Sequence, residues 1–295
     1  MASALATLDL GPVGLWTHSG LWTAAGGELA DAAAELDDLG YKALWVGSSN
    51  GDLALHESLL AATTRLVVAS GIINVWTDPP ELVAESYRRV NAVHPDRILV
   101  GLGSSHAPLV KDEEYRRPLT RLRRYLDDLD ALPETVPAGH RVLAALGPKT
   151  LVLAAERSAG AHPYLTTPGH TAETRQVIGP DALLAPEQKV VLETDPATAR
   201  AIARETLHMY LQLPNYTNSF LRMGFTPGDL EHGGSDRLVD GLVAWGDAST
   251  VLKRVSEHRA AGADHVCMQV LTAGDRHAGR LPRQEWRILA EAMER

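Results

Sequence analysis

Apolar residues along the chain gather into short continuous runs, separated by longer stretches in which they return every three or four positions. The runs at residues 13–16, 42–46, 66–69, 97–100, 141–146, 160–165, 189–193 and 264–271 read as strands. They are apolar at successive rather than alternate positions, which predicts parallel strands covered on both faces. Between the first two, Leu29, Ala32, Ala33, Leu36 and Leu39 predict a helix over about 28–39, stopped by Gly40. The same periodicity predicts helices over 55–62, from Pro79, from Pro118 to about 132, from Pro148 through 156, from Pro168 to 179, from Pro196 to about 213, over 248–261 and from Pro282. One stretch, 214–245, breaks the rhythm with Pro214, Pro227, Gly228, Gly233 and Gly234 and is too long for an ordinary connection.

Strand followed by helix, eight times over, predicts an α/β fold: a (β/α)8 TIM barrel with an insertion before the last strand. An open doubly wound sheet is the alternative arrangement. No shift in composition marks a boundary, so a single domain over 1–295 is expected, with the insertion at about 214–245.

The stretch 65–86 organises this reading. It begins as a buried strand and ends as a helix start, with Asp78 placed to cap, Pro79 and Pro80 opening the helix and Glu81 in its first turn. Gly71 lies between, and a glycine inside an apolar strand marks a bulge or a close approach to the backbone. The plainer reading is that Gly71 only relieves crowding in a packed sheet.

Charge narrows the partners. With 28 Lys and Arg against 37 Asp and Glu, the 295-residue chain carries a formal charge of −9, and no basic run makes a nucleic-acid footprint. Arg121, Arg123 and Arg124 are followed by Asp127, Asp128 and Asp130, which reads as a solvated helix face. The one cysteine, Cys267, sits in an apolar run and should pack as a small hydrophobe. No basic leader and no run of membrane-spanning length is present, so a cytoplasmic protein without membrane contact is expected.

In a barrel of this kind the chemistry lies at the C-terminal ends of the strands. Falling there are Thr17, His18, Ser48, Ser49, the turn from Gly71 to Asn74, Gly103, Ser104, His106, Leu146, Gly147, Thr166, Thr167 and Gln269. No His or carboxylate pair there has metal-ligand spacing, so no metal site is expected, and no lysine stands at a strand end to form a Schiff base. Small residues and hydroxyls suit a flat cofactor laid on backbone. Residues 47–51, GSSNG, also fit the nucleophile-elbow pattern of serine hydrolases. Against that reading, a polar turn rather than a helix follows, and only two strands precede it.

These residues, taken together, resemble the bacterial luciferase-like monooxygenase superfamily, and within it the oxidoreductases that use the deazaflavin coenzyme F420. VASGIIN at 68–74, RILVGLGSSHAPLV at 97–110, residues 143–171 and residues 244–271 carry the likeness, which spans nearly the whole chain. The resemblance implies a TIM barrel and a non-prolyl cis peptide between Gly71 and Ile72 that supports one face of the cofactor ring. It further implies cofactor contacts from Ser48, Gly71, Ile72, Asn74, Gly103 and Ser104. Ala145, Leu146, Gly147, Thr166 and Thr167 would serve the phosphate side, where helix N-termini suit an anion.

Two departures stand out. Relatives often carry a lysine just beyond the last of these loops, where this chain has Gly169 and His170, so Lys149 or another cation is expected to take that role. Many F420 enzymes carry acidic or His residues after the second strand, where this chain has Ser48 and Ser49; proton transfer then falls to His106 or His18. The plain alternative is that each histidine only hydrogen-bonds a loop. The expected activity is hydride transfer between F420 and a small organic substrate by a homodimer. The alternatives are an FMN-dependent monooxygenase and a non-catalytic cofactor-binding paralogue, with a serine hydrolase more remote.

Overall fold

The computed structural model describes residues 8–105, 117–274 and 279–294. Its strands are β1 (Val13–His18), β2 (Ala43–Gly47), β3 (Val67–Ser70), β4 (Ile73–Asn74), β5 (Ile98–Gly103), β6 (Arg141–Leu143), β7 (Gly160–Ala161), β8 (Leu183–Leu184), β9 (Glu187–Val191), β10 (Val243–Trp245) and β11 (Val266–Val270). All pair in parallel, in the order β10-β9-β11-β1-β2-β3-β5-β6-β7-β8, with β4 continuing β3 alongside β5. The two ends of this path meet. Only Ala185 and Pro186 separate β8 from β9, and Ala185 and Glu187 donate to the carbonyls of Ala161 and Pro163 on one side. On the other side Cys267 donates to Pro186 and Leu271 to Val190. The sheet therefore closes into a barrel, with β10 as a short extra strand beside the end of β9.

The helices α1 (Ser19–Ala25), α2 (Leu29–Asp38), α3 (Ala54–Ala61), α4 (Pro80–Val93), α5 (Pro118–Asp130), α6 (Pro148–Arg157), α7 (Pro168–Ile178), α8 (Pro196–Tyr210), α9 (Pro214–Arg222), α10 (Asp236–Leu242), α11 (Ala248–Ala260) and α12 (Arg283–Met293) cover the sheet. Those from α4 to α9 all open with proline in the first turn, where its missing N–H costs nothing. Asp78 does not cap α4 as the sequence suggests: its carboxylate accepts from the Gly51 N–H at 2.8 Å and ties the β2 loop to the bulge. Residues 214–245, too irregular to read in advance, hold α9, α10 and a 3-10 turn closed by a capping box between Thr226 and Asp229. Among the described residues no helix is long and apolar enough to cross a membrane.

Strand alternation sorts the side chains. Leu15, Leu44, Val46, Val68 and Val100 face the helices, while Trp16, Trp45, Ala69, Leu99, Val142 and Cys267 form a separate cluster in the lumen. The lumen is packed rather than open. Trp45 stacks on His162 with ring centroids 4.2 Å apart and donates from Nε1 to His265 Nε2 at 3.1 Å. His265 Nδ1 donates in turn to the Gly11 carbonyl at 2.8 Å. Arg121 is more than a solvated charge, since its guanidinium donates to the Val75 carbonyl and lies over the Trp76 ring.

Candidate active site

One side of the mouth is built by leaving out side chains. The peptide between Gly71 and Ile72 is cis. A Cβ on Gly71 would stand 2.8 Å from Trp16 Nε1 and 3.5 Å from His162 Nε2, and one on Gly47 only 2.1 Å from the Trp16 ring. The Trp16 indole thus lies across the ends of β2 and β3 because those two glycines admit it. A Cβ on Gly103 would meet both Ile72 and Ala144 at 3.0 Å. Register places Asn74 beside Gly103 and Ile73 beside Ser49, so these turns share one rim. Trp16 Nε1 and His162 Nε2 are buried and have no partner among the described residues. Ser48 is exposed with a positive φ of 53°, and its carbonyl accepts from the Ser19 hydroxyl. Asn74 Oδ1 accepts from the Trp76 N–H at 3.1 Å, which satisfies the bulge backbone.

The next two turns bring helix N-termini to the same end. Ala145 is buried, Leu146 and Gly147 are half-buried, and Gly147 precedes α6 with no atom within 4 Å of the position a Cβ would take. Thr167 caps α7, its hydroxyl accepting from the His170 N–H at 3.3 Å, while the Thr166 hydroxyl is buried with no partner among the described residues. His170 joins the two turns: Nε2 lies 3.2 Å from the Leu146 carbonyl and Nδ1 3.2 Å from the Thr174 hydroxyl. Burial lowers its pKa, against the Leu146 carbonyl and Glu173, which favour the charged form, and with a small contribution from Arg222 in the same direction as burial. Lys149, the cation expected here, is exposed on the first turn of α6.

The opposite side of the lumen carries buried charge. Lys189 and Glu187 are fully buried on β9, with Nζ 3.1 Å from Oε1, and Glu187 Oε2 accepts from the Leu165 N–H. Lys189 also donates to Gln269 Oε1 at 2.6 Å and sits 3.8 Å from the Tyr164 ring centroid. The Tyr164 hydroxyl donates to the same Gln269 oxygen at 2.8 Å and lies 2.8 Å from the Tyr210 hydroxyl of α8. Burial pushes Glu187 and Tyr164 upward. The sequence reading placed Lys189 at the start of an apolar strand; the structure puts its ammonium inside the barrel. The available signal was Glu187 and Lys189 two residues apart, hence on one face of a strand.

A family model described as luciferase-like monooxygenase matches residues 6–265. The chain belongs to the luciferase-like monooxygenase family. No curated protein matches it in sequence. Among solved structures it is similar to an F420-dependent secondary alcohol dehydrogenase in complex with an F420-acetone adduct, at 13% identity and a TM-score of 0.72 over 95% of this chain and 97% of that one. It is similar to apo-MsnO8 at 23% identity and a TM-score of 0.63, covering 96% and 98%. A third likeness is the oxygenating constituent of 3,6-diketocamphane monooxygenase from Pseudomonas putida in complex with FMN, at 12% identity and a TM-score of 0.66 over 95% of both chains.

A flat ring with an anionic tail fits what this luciferase-like mouth offers. Gly147 faces open space at the start of α6, and the glycine rim runs from Gly71 at the end of β3 to Gly103 at the end of β5, the strand paired with β6. His106 lies outside the described residues. His18 lines the cleft at the end of β1 and caps α1, its Nδ1 accepting from the Gly20 N–H at 3.0 Å. The GSSNG elbow is built for structure. Ser49 Oγ donates to the Val46 carbonyl at 2.6 Å, so His56 Nε2, 3.1 Å away, is left to be the donor of that pair. A histidine whose Nε2 bears the proton cannot take another from the serine. Among the described residues no group of three or more His, Cys, Asp or Glu could hold a metal ion.

Proposed function

We propose that this chain is an oxidoreductase that moves a hydride between coenzyme F420 and a small organic substrate. The observation that carries this is the convergence, at one end of a closed barrel, of the Gly71 and Gly103 rim with the helix start at Gly147. When bound, the deazaflavin supplies the hydride chemistry. Gly71, Ile72, Asn74, Gly103 and Ser104, with Ser48 at the next strand end, would seat the ring. Ala145, Leu146, Gly147, Thr166 and Thr167 would hold the phosphate side through backbone N–H groups and hydroxyls. Lys149 on the first turn of α6, or Arg222, whose charge acts on His170, would complement that tail where relatives use a lysine. His18 and His106 remain the proposed proton exchangers, and Trp16 with Tyr164 would keep water from the reacting face. We further propose a homodimer working in the cytoplasm, tested by sedimentation equilibrium and cell fractionation.

An FMN-dependent monooxygenase is the second reading, favoured by the FMN-bound structure among the similar folds. Equilibrium titration of the purified protein with F420 and with FMN, followed by tryptophan quenching, tests the choice. F420 should bind more tightly; tighter FMN binding would put the monooxygenase first. A protein that binds either cofactor yet turns over no substrate with it would be a binding paralogue.

A further inference from the structure

We infer that Gln269 is a ligand-recognition residue whose side-chain NH2 is turned into the mouth cleft to donate to the oxygen of an uncharged carbonyl ligand, with Lys189 as the positioning residue that holds it so. This rests on reading the mouth as the substrate site of an oxidoreductase.

The argument is one of donor and acceptor accounting. A glutamine amide has two ends, and its hydrogen-bonding network decides which end faces which way. An ammonium can only donate, so the group 2.6 Å from Lys189 Nζ must be the amide oxygen. The Tyr164 hydroxyl donates to that same oxygen at 2.8 Å. Flipping the amide would set NH2 against an ammonium that is itself fully buried and pinned by Glu187. The orientation is therefore fixed, and both side-chain hydrogen bonds that Gln269 makes among the described residues end on Oε1. Nε2 is directed the other way.

Gln269 stands at the C-terminal end of β11 and lines the cleft with Trp16, Thr17, His18, Thr206 and Thr272. Two N–H donors at the edge of an otherwise packed lumen are matched by an acceptor oxygen. The charge of Lys189 is already balanced by Glu187, and Arg280, which also lines the cleft, lies 3.5 Å from Glu285, so neither leaves an unmatched positive charge that would prefer a carboxylate. An oxygen accepting from an ammonium also polarises the amide and strengthens its N–H donors. Lys189 thus acts on the ligand only through Gln269.

The test uses the full chain with its cofactor present and a panel of small linear and cyclic ketones. Each is compared with the hydrocarbon in which a methylene replaces the carbonyl oxygen. In the wild type at least one ketone should bind about tenfold more tightly than its hydrocarbon, the difference one well-made hydrogen bond gives. On its addition the Gln269 side-chain amide signals should shift in 15N-edited NMR, a reading that needs no variant to fold. Gln269→Glu keeps an acceptor for Lys189 and Tyr164 but removes the donor, and should erase the ketone's advantage. Lys189→Met should erase it as well, and Lys189→Arg should restore most of it. A ketone advantage that survives Gln269→Glu, or no advantage for any ketone in the wild type, overturns the inference. Cofactor affinity is read separately by tryptophan quenching. Variants that bind cofactor like wild type but keep the ketone preference would sink the role of Gln269 alone; wild type that binds neither F420 nor FMN would sink the oxidoreductase reading instead.

Discussion

The two sides of the barrel mouth solve the same packing problem by opposite means. Around β2 and β3, Gly47 and Gly71 withhold side chains so that the Trp16 indole can lie across the strand ends, and its N–H is left without a partner among the described residues. Around β9 and β11, Glu187, Lys189, Gln269 and Tyr164 bring charge into the lumen and tie it into one hydrogen-bonded cluster. Placement on the first side is a matter of volume, and failure there means overpacking. Placement on the second is a matter of paired charge, and failure means a stranded ion. The difference predicts which substitutions are costly, and in what order.

The largest effect should come from breaking the ion pair. Lys189→Met leaves the Glu187 carboxylate buried and uncompensated, which should lower stability by about 3–5 kcal/mol. Removing both charges, with Lys189→Met and Glu187→Leu together, should recover most of that loss. Urea unfolding of the two variants checks it. If the single variant cost no more than the double, the charged side would be held by volume, like its neighbour.

Acid should act next. Burial drops the pKa of His56, His162 and His265 to about 4 from an ordinary 6.5. Between those values the unfolded chain binds protons that the folded chain refuses, so stability falls as pH drops from above 6.5 toward 4. Each such histidine contributes about 3 kcal/mol to that fall. His162→Phe, which keeps a ring against Trp45, should flatten the dependence of melting temperature on pH by about one histidine's share. An unchanged slope would mean that folding does not lower the pKa of His162.

How far the sequence reaches follows the same division. The barrel was legible because every strand position is an apolar run and most helices open on proline, signals local to the chain. The glycine rim was legible for the same reason, since Gly71, Gly103 and Gly147 interrupt strand ends in order. The charged side was not. Lys189 reads as the edge of an apolar run; its spacing from Glu187 shows a shared strand face, but its pairing with Gln269 is seen only in the register. Tyr210 sits on a helix that the spacing did predict, but nothing local says that it reaches Tyr164, and Tyr216 of α9 belongs to the stretch 214–245 whose folding could not be read from its spacing. Asp78 was misread because a cap and a contact from a distant loop present the same residue type at the same place.

On the glycine side, Gly47→Ala should cost about 1–3 kcal/mol, the usual range for overpacking. Its new methyl would stand 2.1 Å from the Trp16 ring, so the indole has to move. Adding Trp16→Phe should return part of the loss, because a smaller ring makes room, and the coupling between the two sites should exceed about 0.5 kcal/mol. Chemical denaturation of the single and double variants gives the cycle. Additive effects would mean that the indole is not what Gly47 accommodates.

The smallest expected effect separates two roles for one residue on the border between the sides. His18 Nδ1 accepts from the Gly20 N–H and so caps α1. A lost cap costs about 1 kcal/mol, and asparagine is as good a cap as any residue. His18→Ala should therefore lower the melting temperature by roughly 2 °C for a chain of this size, and His18→Asn should leave it nearly unchanged. The cap needs Nδ1 unprotonated, so the ring proton of the neutral side chain sits on Nε2. Turnover then tells the roles apart. A rate that survives in the Asn variant and falls only with stability in the Ala variant assigns His18 to the helix alone. A rate lost in both, with the Asn variant as stable as wild type, puts the proton on the His18 side of the mouth.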